Sequence, residues 1–254
     1  MMLDPLFLTV PLAHRGFHDR ARGVIENSLE AAQAAIDAGY GIECDVQLSQ
    51  DGQAVVFHDY DMKRLTGLHG SVQTRTADQL QSTVLSGSNN RIPSLRDLVS
   101  LVAGRVPLLI EIKDQDGAMG PKIGRLETAV ATVLEGYGGP VAVMSFNPHS
   151  IAELARLAPS IPRGLTTSAY LAKDWGPLPA SVRERLREIP DYDSVGASFI
   201  SHEAKDLTRP RVAELKAKGA AILCWTIRGP ADEQAARQIA DNVTFEGYSA
   251  RFRN

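Results

Sequence analysis

Cysteine is scarce in this chain: two residues, Cys44 and Cys224, among 254. Two thiols cannot build the disulfide framework of a small secreted domain. Both fall inside apolar, strand-like runs, where a free thiol behaves as a small buried hydrophobe. Long hydrophobic runs are missing as well. The stretch from Leu6 to Leu12 is interrupted by Pro11 and falls far short of the roughly 20 residues a membrane-spanning helix needs. No basic segment precedes an apolar run near the N-terminus. Neither sign of charge dominates: 27 Lys and Arg against 30 Asp and Glu leave a net charge of −3. That balance gives no broad attraction to nucleic acid or to an anionic membrane. Repeats, low-complexity tracts and long linkers are also lacking. These absences predict a soluble, cytoplasmic protein with no nucleic-acid partner and no stable membrane anchoring.

What is present is core material. Hydrophobic residues make up 44% and charged residues 22% of the chain, an ordinary globular balance. Eight apolar runs, at 8–13, 41–46, 108–112, 141–145, 163–167, 195–199, 221–226 and 242–246, read as strands. Amphipathic stretches between them, such as 29–38, 124–137, 149–157, 181–188, 210–218 and 231–240, read as helices. Eight strands with intervening helices predict an α/β fold, a (β/α)8 TIM barrel, as one domain over residues 1–254. An open doubly wound sheet shares the alternation.

One segment departs from it. After the second strand, Asp51-Gly52 separates two alternating runs, a short hairpin signal. A turn centred on those two residues predicts that His58 folds back opposite Asp45. Residues 66–93 then form a polar excursion that covers part of one end of the barrel.

Glu43 and Asp45 are two apart on the second predicted strand, so both side chains point to one face and Cys44 to the other. Two carboxylates in an otherwise apolar strand are costly to bury without a cation. They make a hard oxygen site suited to Mg²⁺ or Ca²⁺. The alternative is a pair of surface carboxylates. Glu111 and Lys113 repeat the spacing on the third strand. Glu111 is a candidate third ligand, and Lys113 a point charge for a phosphate oxygen; a self-satisfied Glu–Lys pair is the plainer reading. His14 ends the first strand and precedes Arg15, whose planar fork suits phosphate. With His58, it forms a pair that could remove one proton and supply another across a metal-bound phosphodiester. Asn27 and Glu30 have the spacing of an N-cap and its reciprocal partner. Glu26 is expected to point into the mouth as a polar contact, and Trp225 to wall the substrate or join the core. His18, His69, His149 and His202 receive no role.

Taken in order, His14-Arg15-Gly16, Glu26-Asn27-Ser28, Glu43-Cys44-Asp45, His58-Asp59 and Glu111-Ile112-Lys113 resemble the glycerophosphodiester phosphodiesterase family. The fragments Arg91-Ile92-Pro93-Ser94-Leu95 and Cys224-Trp225-Thr226 add to the resemblance, which spans nearly the whole chain. The resemblance implies a phospholipase-C-like phosphodiesterase barrel. It implies metal ligands at Glu43, Asp45 and Glu111, acid/base histidines at His14 and His58, and phosphate contacts at Arg15 and Lys113. It also implies hydrolysis of a small-molecule glycerophosphodiester to glycerol 3-phosphate and an alcohol such as choline, ethanolamine, inositol or glycerol. One departure stands out: Glu246 falls where family members often carry an aspartate on the last strand, which bears on the pocket and its head-group preference.

In the mechanism this suggests, His14 is the base and His58 the acid, with water or a neighbouring substrate hydroxyl as nucleophile. Two other readings compete. A phospholipase D-like lyase on the same barrel would act on lysophospholipids, release a cyclic phosphate and need an apolar rim, to which residues 170–178 with Trp175 could contribute. A noncatalytic phosphate-binding barrel would be expected to lack one of the five core residues, and all five are present.

Overall fold

The computed structural model describes residues 2–253. Its strands are β1 (Leu12–Ala13), β2 (Gly41–Leu48), β3 (Ala54–Val56), β4 (Leu108–Ile112), β5 (Val141–Ser145), β6 (Arg163–Thr167), β7 (Phe199–Glu203), β8 (Ala221–Ile227) and β9 (Asn242–Phe245). All but β3 run parallel, and β1 pairs with both β2 and β9, so eight strands close into a ring. Helices connect them on the outside, and the architecture is a TIM barrel. β3 is the ninth strand, antiparallel to β2 on the rim.

The two faces of each strand bury different things. Outward residues such as Cys44, Val46, Ile110 and Ile112 pack against the helices in the main core. Inward residues Leu12, Leu109, Ala142, Met144, Phe199 and Leu223 fill the lower barrel together with Phe7. Phe7 explains a departure from the predicted 8–13 strand. Leu6–Thr9 is a short helix that plugs the barrel, and only Leu12–Ala13 enter the sheet. Pro11 lacks the N–H a longer strand would need. Burying a phenylalanine this way stabilises the bottom by roughly 1.5–3 kcal/mol.

The predicted 195–199 strand begins later, at Phe199. Residues 191–196 instead make turns that end at Gly196, which has φ +62°. The hairpin register also shifts by one. Gly52 adopts φ +84°, and its N–H donates to the Ser49 carbonyl, while the Ser49 N–H donates to the Gln53 carbonyl. This is a three-residue loop, not the predicted two-residue turn. Consequently Phe57 lies opposite Asp45, whose carbonyl accepts its N–H at 2.9 Å. His58 lies one residue beyond.

The excursion after β3 has its own small core. Met62, Leu65, Val72, Leu80, Leu85 and Ile92 pack on Val55 and Phe57. That core fixes the short helix Lys63–Thr66 beside the mouth of the barrel.

Candidate active site

Strand register brings the acidic residues together. Asp45 on β2 pairs directly with Glu111 on β4, and Glu43 lies one inward position below Asp45. Carboxylate oxygens of Glu43, Asp45 and Glu111 lie within 4.8 Å of one another, and all three residues are buried. Lys113 Nζ bridges Asp45 Oδ1 at 2.7 Å and Glu111 Oε1 at 2.5 Å. The Arg15 backbone N–H donates to Glu43 Oε2 at 2.9 Å, and its guanidinium forms an ion pair with Asp45, Nε to Oδ2 at 3.3 Å.

The charges respond to this crowding. Burial, reinforced by the neighbouring Asp45 and Glu111 charges, pushes the Glu43 carboxyl well above its ordinary range. Burial acts upward on Asp45 too, but Lys113, His58 and Arg15 outweigh it and hold Asp45 well below the usual value. The cluster is therefore short of positive charge at Glu43. Three carboxylates and no sulfur form the donor set of a hard divalent cation. These residues fit such an ion.

The local backbone is unusual where the loops converge. Arg15 and Asn27 both adopt left-handed conformations, at φ +58° and +57°, and the Asn27 N–H donates to the Arg15 carbonyl at 2.8 Å. Each such non-glycine position costs of order 1–3 kcal/mol unless the surroundings enforce it. Asn27 is enforced by Asp45: its Nδ2 donates to Asp45 Oδ2 at 2.9 Å, and its Oδ1 accepts the Asp45 N–H at 3.2 Å. Asn27 is thus not the predicted N-cap. Ser28 takes that place, its Oγ accepting the Ala31 N–H at 3.1 Å, which frees the Asn27 amide for the site.

Each of the two candidate histidines is held by its own carboxylate. His14 Nδ1 lies 2.5 Å from Glu246 Oε2, and Arg228 Nε donates to Glu246 Oε1 at 2.7 Å. His58 Nδ1 lies 2.7 Å from Asp59 Oδ1, and the His58 carbonyl accepts from Gln47 Nε2. Burial drives the His14 imidazole down to about 4, against the pull of Glu246. The His14 hydrogen bond, helped by Arg228, brings Glu246 to about 2 despite burial. At neutral pH, His14 is therefore an uncharged ring. The hydrogen bond to Glu246 assigns the ring proton to Nδ1, which donates to the carboxylate, and leaves Nε2 with a free lone pair.

His14, His58, Glu43, Asp45, Glu111, Arg15 and Lys113 share one cavity of about 140 Å³ at the top of the barrel. Phe146, Trp225, Thr226 and Arg228 form another part of its wall. Phe146 packs edge-on against Trp225, with centroids 5.6 Å apart, and Trp225 Nε1 donates to the Ser201 carbonyl at 3.0 Å. Trp175 folds onto Phe146 and Tyr170. Glu26 stands behind Arg15: its Oε1 accepts from Arg15 Nη1 at 2.6 Å and from Arg64 Nη2 at 2.8 Å. His202 is buried on the outer face, with Nδ1 2.8 Å from Thr167 Oγ1 and Nε2 facing Asp206.

Sequence reasoning passed over Phe146, Arg64 and the partner roles of Asp59 and Glu246. Adjacency to His58 was an available signal for Asp59, and position just past a strand end for Phe146 and Glu246. Arg64 left no local signal.

Comparison with known proteins agrees with the geometry. Residues 14–244 match the Glycerophosphoryl diester phosphodiesterase family. A glycerophosphodiester phosphodiesterase of Caldanaerobacter subterraneus subsp. tengcongensis is 31% identical over 176 residues, 66% of this chain and 70% of that protein. One from Bacillus altitudinis is 31% identical over 169 residues, 63% of this chain and 67% of that protein. Among solved structures, an Oleispira antarctica phosphodiesterase in complex with the product sn-glycerol-3-phosphate superposes with a TM-score of 0.76. It is 24% identical, and the match covers 94% of this chain and 93% of that one.

Proposed function

The chain belongs to the glycerophosphoryl diester phosphodiesterase family and is a phosphodiesterase by class; from that premise we propose that it splits glycerophosphodiesters into glycerol 3-phosphate and an alcohol, with a divalent metal and two histidines. One observation carries the reading: two carboxylate-anchored histidines face one cavity with a buried three-carboxylate cluster.

Glu43, Asp45 and Glu111 would hold the ion, and oxygen donors alone suit Mg²⁺ or Ca²⁺. When bound, it supplies Lewis-acid polarisation of a nonbridging phosphoryl oxygen. Arg15 and Lys113 offset charge developing on the phosphoryl group. The neutral His14 ring accepts the proton of the nucleophile, which is water or a neighbouring hydroxyl of the substrate. Glu246 keeps the correct tautomer and stabilises the imidazolium that forms. His58, oriented by Asp59, donates a proton to the departing alkoxide. Phe146 and Trp225 wall the side left for the alcohol.

The whole chain acts as one domain in this reading. The two cysteines, free and buried, favour a reducing cytoplasm. No described helix is long and apolar enough to cross a membrane. His14→Ala and His58→Ala are each expected to lower kcat by about 10²–10⁴-fold with the circular dichroism spectrum unchanged. Near-wild-type kcat in either variant removes that residue from the scheme.

A further inference from the structure

Arg64 lies outside the cavity, on the short helix Lys63–Thr66 of the excursion. Its guanidinium is nevertheless engaged twice, as a fork each time. Nε donates to Asp59 Oδ2 at 2.6 Å and Nη2 to Asp59 Oδ1 at 3.0 Å. Nη1 donates to Glu26 Oε2 at 2.8 Å and Nη2 to Glu26 Oε1 at 2.8 Å. Each carboxylate then reaches a different part of the site. Asp59 holds His58 at 2.7 Å, and Glu26 holds Arg15 at 2.6 Å. We propose that Arg64 is a positioning residue that aligns the His58 imidazole and the Arg15 guanidinium together, through Asp59 and Glu26.

The inference rests on the function proposed above for His58 and Arg15. Only a planar guanidinium can make both forks at once; a lysine amine is a point donor with no fixed plane. Arg64 is 43% exposed at the side chain, and isolated exposed ion pairs contribute little to stability. Its weight lies instead in geometry, because both of its partners are already committed to active-site groups. The neighbouring Leu65 is buried in the excursion core, which anchors the helix that presents Arg64. The excursion thereby has a function that its polar sequence does not announce. It closes a chain of hydrogen bonds from His58 through Asp59, Arg64 and Glu26 to Arg15.

The test is kinetic and uses the full-length, metal-loaded enzyme. The substrate is whichever of the choline, ethanolamine, inositol and glycerol glycerophosphodiesters the wild type turns over fastest. Arg64→Ala is expected to lose about 10–100-fold in kcat/KM, the usual effect of removing a group that orients a functional side chain. Arg64→Lys should recover less than about threefold of that loss, since charge without the fork is insufficient. In double variants, the kcat loss of Arg64→Ala should not add to that of Asp59→Asn, and its KM increase should not add to that of Glu26→Gln. Wild-type kcat and KM in Arg64→Lys, or losses that multiply in both double variants, would overturn the inference. A second readout needs no turnover. The side-chain ¹⁵N signals of His58 should move in Arg64→Ala while those of the distant His202 stay in place, and unmoved His58 signals also overturn it. If the folded wild type cleaves no glycerophosphodiester but His58 still follows Arg64, the proposed reaction falls and the positioning role stands.

Discussion

His14 is buried among charges yet uncharged at neutral pH, and this state has a consequence for stability. Its pKa falls from 6.5 to about 4 on folding, chiefly through desolvation. Between those values the unfolded chain binds a proton that the folded chain refuses. Stability is therefore lost as pH falls from about 6.5 towards 4, by on the order of 3 kcal/mol. His18 and His202 are also lowered by burial and add to the same slope, while Glu43, pushed upward, opposes it. The diagnostic is thus a difference. Urea unfolding of the EDTA-treated wild type should lose more stability across that window than His14→Gln, and identical slopes would refute the assignment. Glu246, brought down to about 2 in the wild type chiefly by His14, acts there below pH 4.5. At this scale, the sequence revealed residues whose geometry is set by strand period alone. Glu43, Asp45, Glu111 and Lys113 alternate along single strands, so a common face could be read from spacing. Glu246 reaches His14 across 232 positions and Arg64 reaches Glu26 across 38. No local pattern encodes such pairs.

Among the elements, the loop after β1 combines close approach with a left-handed backbone at one residue, Gly16. A Cβ on Gly16 would come within 2.8 Å of the Ala31 backbone and side chain, and Gly16 also adopts φ +80°. Gly16→Ala therefore meets both strain and overlap. It is expected to cost about 2–3 kcal/mol in a denaturant titration and to disturb His14 and Arg15, its two predecessors. A cost under 0.5 kcal/mol would show that the loop and the helix Leu29–Asp37 can separate freely. Element order was readable from hydrophobic alternation, but ends and registers were not. The apolar run at 8–13 holds the end of the plug helix Leu6–Thr9 and then a strand, because Phe7 has a barrel interior to fill. The β2–β3 register depends on one extra loop residue, Gln50, and a single step moves every side chain of β3 to the other face. Similarly, Asn27 and Ser28 are both good caps by type. The claim of Asp45 on Asn27 decides between them.

For the molecule as a whole, the proposed metal site would couple function to stability. Glu43 is pushed upward because burial and its acidic neighbours disfavour its charge. A cation reverses that preference and binds only the folded chain, so saturation near 100 times Kd should add about 2.7 kcal/mol. In a protein of this size that raises Tm by roughly 5–10 °C. Glu43→Gln should leave the Tm of the EDTA-treated protein unchanged or higher, yet lose most of the response to Mg²⁺ or Ca²⁺. An equal response in wild type and variant would place the ion elsewhere. The most direct test of the central claim is release of glycerol 3-phosphate from the choline, ethanolamine, inositol and glycerol diesters, with Mg²⁺, Ca²⁺ or EDTA. Turnover that requires a divalent cation and stops with EDTA is the expected result. Turnover undiminished by EDTA, or none from folded, metal-loaded protein, would contradict it.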